Sequence, residues 1–449
     1  MKYDQEAVMQ AARLGISPEA LRTYLDAGAG KRAPGVVRSL HAMAKPIGSA
    51  CNLHCTYCYY LGKEKLLGQD RNRMSDAVLE AYIAGYIESQ DAEEIAFTWH
   101  GGEPTLLGIG FFETVLRYQA KHLPAGRRIT NDVQTNGTLL DDEWCAFLAA
   151  HGFLVGLSID GPRDLHDRYR PTRGGQGSFA AVVAAARRLR AHGIRFGTLT
   201  VVNRESARQP LEVYRFLRDD IGAHYMQLIP CVEPRRFETT APDRHGAEAL
   251  PLVGSPRARA THAQSVVTDW SVAPRDWGRF LAAIFTEWAA RDRGRVKVNL
   301  IESFLAQING QPSLMCTSNP VCGKNIAVEH DGRVFSCDHY VYPEHELGRI
   351  GEASLAQIVF SLRQLEFGLN KFNTLSGECR RCPYLTLCWG ECPRTRLLRT
   401  RPEEGNLSYL CEGWKIFFDQ AIPKARTLGL APQTPGSRPA GTVASGRRR

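Results

Sequence analysis

The 449 residues carry 43% hydrophobic side chains, enough to bury a full core and to form two or three domains. No run of about 18 apolar residues and no charged-then-apolar leader occurs, so the sequence predicts a soluble, unexported, cytoplasmic protein with no membrane partner. The formal charge of +9 falls to +5 without the tail residues Arg438, Arg447, Arg448 and Arg449, an ordinary value that predicts no nucleic-acid groove.

Residues 4 to 29 predict one or two short amphipathic helices, with apolar positions at Val8, Ala11, Leu14, Leu21, Tyr24 and Leu25 that call for packing. From Met43 the pattern becomes strand then helix, repeated. One strand precedes Cys51, and five more are predicted at 94–100, 129–135, 153–160, 195–202 and 224–232. Helical patterns near 75–90, 108–122, 141–151, 177–192 and 209–219 separate them. Six such strands imply an α/β fold of parallel βα units with right-handed crossovers, closed most simply as a six-unit open barrel. Chemistry in these folds sits where strands end and helices begin.

Motifs fall at those junctions. Cys51-Asn-Leu-His-Cys55-Thr-Tyr-Cys58-Tyr-Tyr60 spaces three thiols C-x3-C-x2-C, so their sulfurs can converge on one iron–sulfur cluster and leave one iron open to a small molecule. Tyr57, Tyr59 and Tyr60 can wall that site from water; a zinc loop is the plainer alternative. After the second strand, the glycines of Gly101-Gly102-Glu103-Pro104 let backbone approach a ligand and the carboxylate can take an ammonium group, although a tight turn explains the motif equally well. Gln134-Thr-Asn136-Gly137 and Ser158-Ile-Asp160-Gly161 end the third and fourth strands, and Arg170 follows in a loop with Arg168 and Arg173.

Residues 234–272 break the rhythm and read as a loop between domains, followed by a helix at 275–291 whose Trp277, Phe280, Leu281, Ile284, Phe285 and Trp288 form a packing face. The second half holds Cys316, Cys322, Cys337, Cys379, Cys382, Cys388, Cys392 and Cys411: two sets of four, enough for two closed clusters or two structural zincs. Only Cys145 and Cys231 stand outside clusters, as buried structural thiols. Beyond Pro423 the composition predicts a disordered basic tail.

From about Met43 to about Phe418 the sequence, with Lys45-Pro-Ile-Gly-Ser-Ala before the cysteine loop, resembles radical S-adenosylmethionine (SAM) enzymes and, more narrowly, the anaerobic sulfatase-maturating enzymes. The resemblance implies a partial (β/α)6 radical SAM barrel at 37–233, a linker loop at 234–272 and a SPASM-type domain with two auxiliary clusters at 273–423, flanked by an N-terminal helical extension at 1–36 and the tail at 424–449. It implies SAM and three [4Fe-4S] clusters: one on Cys51, Cys55 and Cys58, a second on Cys316, Cys322, Cys337 and Cys392, a third on Cys379, Cys382, Cys388 and Cys411. SAM contacts are implied at Tyr57, Gly102, Ser158, Arg170 and Val232, with Ser158 and Arg170 at its carboxylate.

The activity implied is oxidation of a cysteine or serine in a sulfatase polypeptide, within C/S-x-P/A-x-R, to Cα-formylglycine by a 5′-deoxyadenosyl radical. Asp338 matches the general base, and a flavodoxin- or ferredoxin-type protein would donate electrons. A SPASM enzyme that modifies a ribosomally synthesised peptide is the second enzymatic reading, and a zinc or electron-transfer module the non-enzymatic one. Two residues depart from the family pattern: His100 stands where glutamine is common before G-G-E-P, and Glu391 replaces the glycine before Cys392.

Overall fold

The computed structural model describes residues 5–31, 38–67, 73–245, 250–400 and 405–432. Its centre is a parallel run of strands in chain order, β1 (His41–Lys45), β2 (Glu94–Trp99), β3 (Arg128–Thr135), β4 (Leu154–Ser158), β5 (Phe196–Val202) and β6 (Tyr225–Pro230). Adjacent strands are joined in parallel register, for example Thr98↔Asp132 and Gln134↔Gly156. The period-two alternation of a strand divides their side chains. Thr98, Asp132 and Gln134 face an internal cavity, while Phe97, Trp99 and Val133 between them are buried.

The helices that cross between these strands begin where side chains can cap them. Ser75 accepts from the Val78 N–H ahead of Asp76–Glu88, and Asp141 from the Trp144 N–H ahead of Asp142–Ala150. The first of them buries Tyr82 and Tyr86 against Phe97 and Trp99, with Phe111 and Phe112 edge-on to Trp99 beyond. Each such fully buried aromatic contributes about 2 to 3 kcal/mol by area.

The sheet does not stop at six strands. β7 (Lys297–Val298) adds to β6, and β8 (Asn325–Glu329) pairs in parallel with β1 at the other edge. β9 (Arg333–Phe335) and β10 (Glu346–Arg349) follow antiparallel, making ten strands in this sheet among the described residues. The first half thus shares its sheet with the cysteine-rich half, and the turn after β9 is carried to the mouth of the cavity. Residues 234–245 and 250–272 fold back on this mouth rather than leaving it: Pro234 bridges Val267, and the Val272 N–H donates to the Cys231 carbonyl at 2.8 Å.

The helix expected at 275–291 runs Pro274–Arg291 and packs on the last helix, Cys411–Thr427. Their backbones approach so closely that a Cβ on Gly413 would lie 2.1 Å from the Pro274 carbonyl oxygen. Tail onset at 424 is corrected: this helix carries Pro423 inside it and continues to Thr427, because Ala421 and Ala425 remain buried. The rest of the expected tail, from 433, lies outside the described residues. The two N-terminal helices, Gln5–Leu14 and Pro18–Gly28, pack Ala11, Leu14 and Leu21 against Leu362, Leu365 and Leu369.

Candidate active site

A cavity of about 1110 Å³ opens where the strands β1 to β6 end. The loop after β1 brings Cys51, Cys55 and Cys58 together on its wall. This loop carries no regular structure, so other segments must hold its backbone. The Thr56 N–H donates to Tyr169 O at 2.9 Å, His54 N–H to Pro171 O at 2.8 Å, and Glu103 N–H to Ala50 O at 2.8 Å. Gly102 is a glycine for this reason: a Cβ there would lie 1.9 Å from the Ala50 carbonyl oxygen.

Of the two readings open for Gly101-Gly102-Glu103-Pro104, the Glu103 side chain fits the tight turn. Fully buried and absent from the cavity wall, it accepts from Thr105 N, Thr105 Oγ1, Thr135 Oγ1 and Asn136 N at 2.6 to 3.0 Å. Ser158 does face the cavity and accepts from Gln134 Nε2 at 2.9 Å. Arg170 also lines it, gripping Asp160 through Nε and Nη2, both at 3.0 Å, while Tyr57 donates its hydroxyl to the same carboxylate. Val232 is fully buried, with Cys231 and Glu233 on either side of it lining the wall. Cys231, read from sequence as a structural thiol, is buried but borders this cavity.

The opposite wall comes from the second half. Asp338 is nearly buried and its carboxylate is held at both oxygens, by Lys45 Nζ at 2.5 Å from Oδ1 and by the Tyr59 hydroxyl at 2.5 Å from Oδ2. Burial alone would raise its pKa, but the Lys45 ammonium beside it holds it well below the usual carboxylate range. Lys45 is fully buried, 2.9 Å from His100 Nδ1. Burial, then Lys45, pushes His100 down to about 3, so the ring is neutral. Glu233 and Arg394 pair at 2.9 Å on the same wall. Sequence reasoning passed over Lys45, Glu233 and Arg394; the signal for Lys45 was its place at the end of a strand whose loop carries the cysteines.

The other cysteines form two groups. Cys379, Cys382, Cys388 and Cys411 line one small, almost wholly apolar cavity, as a four-thiolate cluster site requires. Burial first, then Cys316 and Cys392, raises the Cys337 thiol, and burial, then Glu391 and Cys322, raises the Cys392 thiol. Glu391, at φ 58°, is one of two non-glycine residues with positive φ among the described residues, in keeping with the glycine usual there.

The Radical SAM superfamily profile matches residues 46–217, and an iron–sulfur cluster-binding domain, SPASM, matches 316–383. A serine-type anaerobic sulfatase-maturating enzyme of Bacteroides thetaiotaomicron is 40% identical over 86% of this chain and 90% of its own length. The chain belongs to the anaerobic sulfatase-maturating enzymes. A cysteine-type maturase of Clostridium perfringens is 31% identical over 86% of the chain and 97% of its own length. A solved maturase structure, anSMEcpe with bound AdoMet and a peptide, superposes with a TM-score of 0.73 at 31% identity, covering 87% of this chain and 98% of that one. This maturase is therefore a radical SAM enzyme with a SPASM domain, and its cofactors are SAM and iron–sulfur clusters, not zinc.

Proposed function

We propose that the protein oxidises a serine or cysteine of a sulfatase polypeptide to Cα-formylglycine, with three [4Fe-4S] clusters held by the three cysteine groups. The observation that carries this reading is that Asp338, from the SPASM half, shares one cavity with the Cys51–Cys58 loop, Gln134, Ser158 and Arg170. Loaded with SAM, the cluster on that loop would supply a 5′-deoxyadenosyl radical able to take a hydrogen atom from the substrate's β-carbon. Ser158 and Arg170 would hold the SAM carboxylate, and Tyr57, Gly102 and Val232 would shape the rest of its bed. Asp338 accepts the proton of the substrate hydroxyl or thiol, and one electron leaves to an acceptor; for cysteine, water then replaces sulfur as sulfide. The tyrosines keep bulk water from this exchange: Tyr59 and Tyr60 tie their hydroxyls to Asp338 and Glu329.

The serine-type relatives stand at 36% to 40% identity and the cysteine-type at 28% to 31%, which favours a serine substrate. A flavodoxin- or ferredoxin-type donor in the cytoplasm would supply the reducing electron; among the described residues no helix is long and apolar enough to cross a membrane. The test is mass spectrometry of Ser-x-Pro-x-Arg and Cys-x-Pro-x-Arg peptides after anaerobic incubation with SAM and reductant. Conversion removes about 2 Da from the serine peptide and about 18 Da from the cysteine peptide, since an aldehyde replaces alcohol or thiol. Peptides that keep their mass while SAM is consumed would refute the proposal.

A further inference from the structure

Lys45 pairs with one carboxylate and stands in strand register with a second, and only the first serves the reaction proposed above. Its ammonium, fully buried, meets Asp338 Oδ1 at 2.5 Å and lies 4.4 Å from the centre of the Tyr60 ring. Across the parallel β1–β8 pair, however, Lys45 stands in direct register with Glu329. Glu329 is also fully buried: Oε1 accepts from Tyr60, while Oε2 has no hydrogen-bond partner, the His330 ring nitrogen being 3.5 Å away. A buried carboxylate oxygen in that condition attracts any mobile cation within reach.

What holds Lys45 on the Asp338 side is His100. The Gly101 N–H donates to His100 Nδ1 at 2.7 Å, so this nitrogen carries no proton and the ring proton sits on Nε2. Nδ1 is thereby fixed as an acceptor, and it faces Lys45 Nζ at 2.9 Å. The His100 backbone is fixed as well, because it follows β2 and its main-chain N–H donates to Ala44 O of β1 at 2.8 Å. We infer that His100 is a positioning residue: through Nδ1 it keeps Lys45 on Asp338 and away from Glu329, and so keeps the base aimed at the substrate. The inference rests on the reading of Asp338 as the base.

The experiment uses the full-length, cluster-loaded protein and a Ser-x-Pro-x-Arg peptide. It follows formylglycine formed per 5′-deoxyadenosine, peptide affinity, iron content and melting temperature. His100→Ala should lower product per 5′-deoxyadenosine by about 10-fold, the scale of one lost hydrogen bond to a charge, with peptide affinity and iron content within about 2-fold of wild type. His100→Asn, whose side-chain oxygen can take the place of Nδ1, should stay within about 3-fold of wild type in coupling. The second-site variant is decisive: adding Glu329→Gln to His100→Ala removes the competing charge and should restore at least about half the coupling. Unchanged coupling in His100→Ala, a loss of iron or peptide affinity as large as the loss of coupling, or no rescue by Glu329→Gln would overturn the inference. If Asp338→Asn couples normally, the base assignment itself has failed; if Asp338→Asn is uncoupled and His100→Ala is not, only the role of His100 has.

Discussion

Asp338 is a carboxylate held by Lys45 at the end of β1 and by Tyr59 in the cysteine loop, and that lysine in turn lies 2.9 Å from His100 after β2. Replacing it by asparagine keeps the shape and removes the proton acceptor. Asp338→Asn should retain SAM cleavage and lose about 100-fold in formylglycine, read by chromatography of 5′-deoxyadenosine against peptide mass. Asp132 makes the opposite case. Burial raises it to about 6, against a single strong hydrogen bond from Thr98 Oγ1 at 2.6 Å, so the folded protein holds a proton there that the unfolded chain releases near pH 4. Stability from this group is present at low pH and lost as pH rises toward 6. Asp132→Asn should therefore stabilise the protein by about 3 kcal/mol at pH 8 and by about half that at pH 5, measured by denaturant unfolding. The cysteine groups could be read from their spacing, whereas Ser158, Arg170 and Asp338 were singled out through the family resemblance, since a lone loop arginine or an aspartate after a cysteine carries no signal of its own. Lys45 and His100 were not legible as partners, since 55 residues separate them and only the pairing of β1 with β2 brings them together.

At the scale of elements, the six central strands and the helices between them were readable from apolar periodicity, because each is long enough to show a face. β7 to β10 were not. They span two to five residues, and two of them join the sheet by pairing with strands distant in sequence, which no local pattern announces. The two readings of Glu103 stayed open for a related reason: its oxygens accept from Thr135 and Asn136 at the end of the neighbouring strand. One contact between helices ties packing to the proposed third cluster. Gly413 lies two residues into the helix that Cys411 begins, and its missing Cβ makes room for the Pro274 carbonyl. Gly413→Ala should force the two helices apart, destabilise the protein by about 1 to 3 kcal/mol and release iron chiefly from that cluster. Thermal unfolding and iron content with electron paramagnetic resonance would check both effects.

Across the whole molecule, the two halves that the sequence separates by composition act on one cavity. The cysteine loop, Ser158, Arg170 and the strand ends come from the first half, and Asp338, His339 and Arg394 from the second. The shared sheet explains how: β8 and β9 hang on the edge of β1, so the turn carrying Asp338 is fixed relative to the loop carrying Cys51, Cys55 and Cys58. The sequence half of this arrangement was legible through motifs, the spatial half only through the fold. Isotope transfer tests the account most directly. A peptide whose target serine carries deuterium on its β-carbon, incubated anaerobically with the cluster-loaded protein, SAM and reductant, should yield formylglycine together with 5′-deoxyadenosine that has gained one deuterium. Formylglycine appearing with no deuterium in the 5′-deoxyadenosine, or deuterium-free 5′-deoxyadenosine forming beside an unaltered peptide, would contradict it.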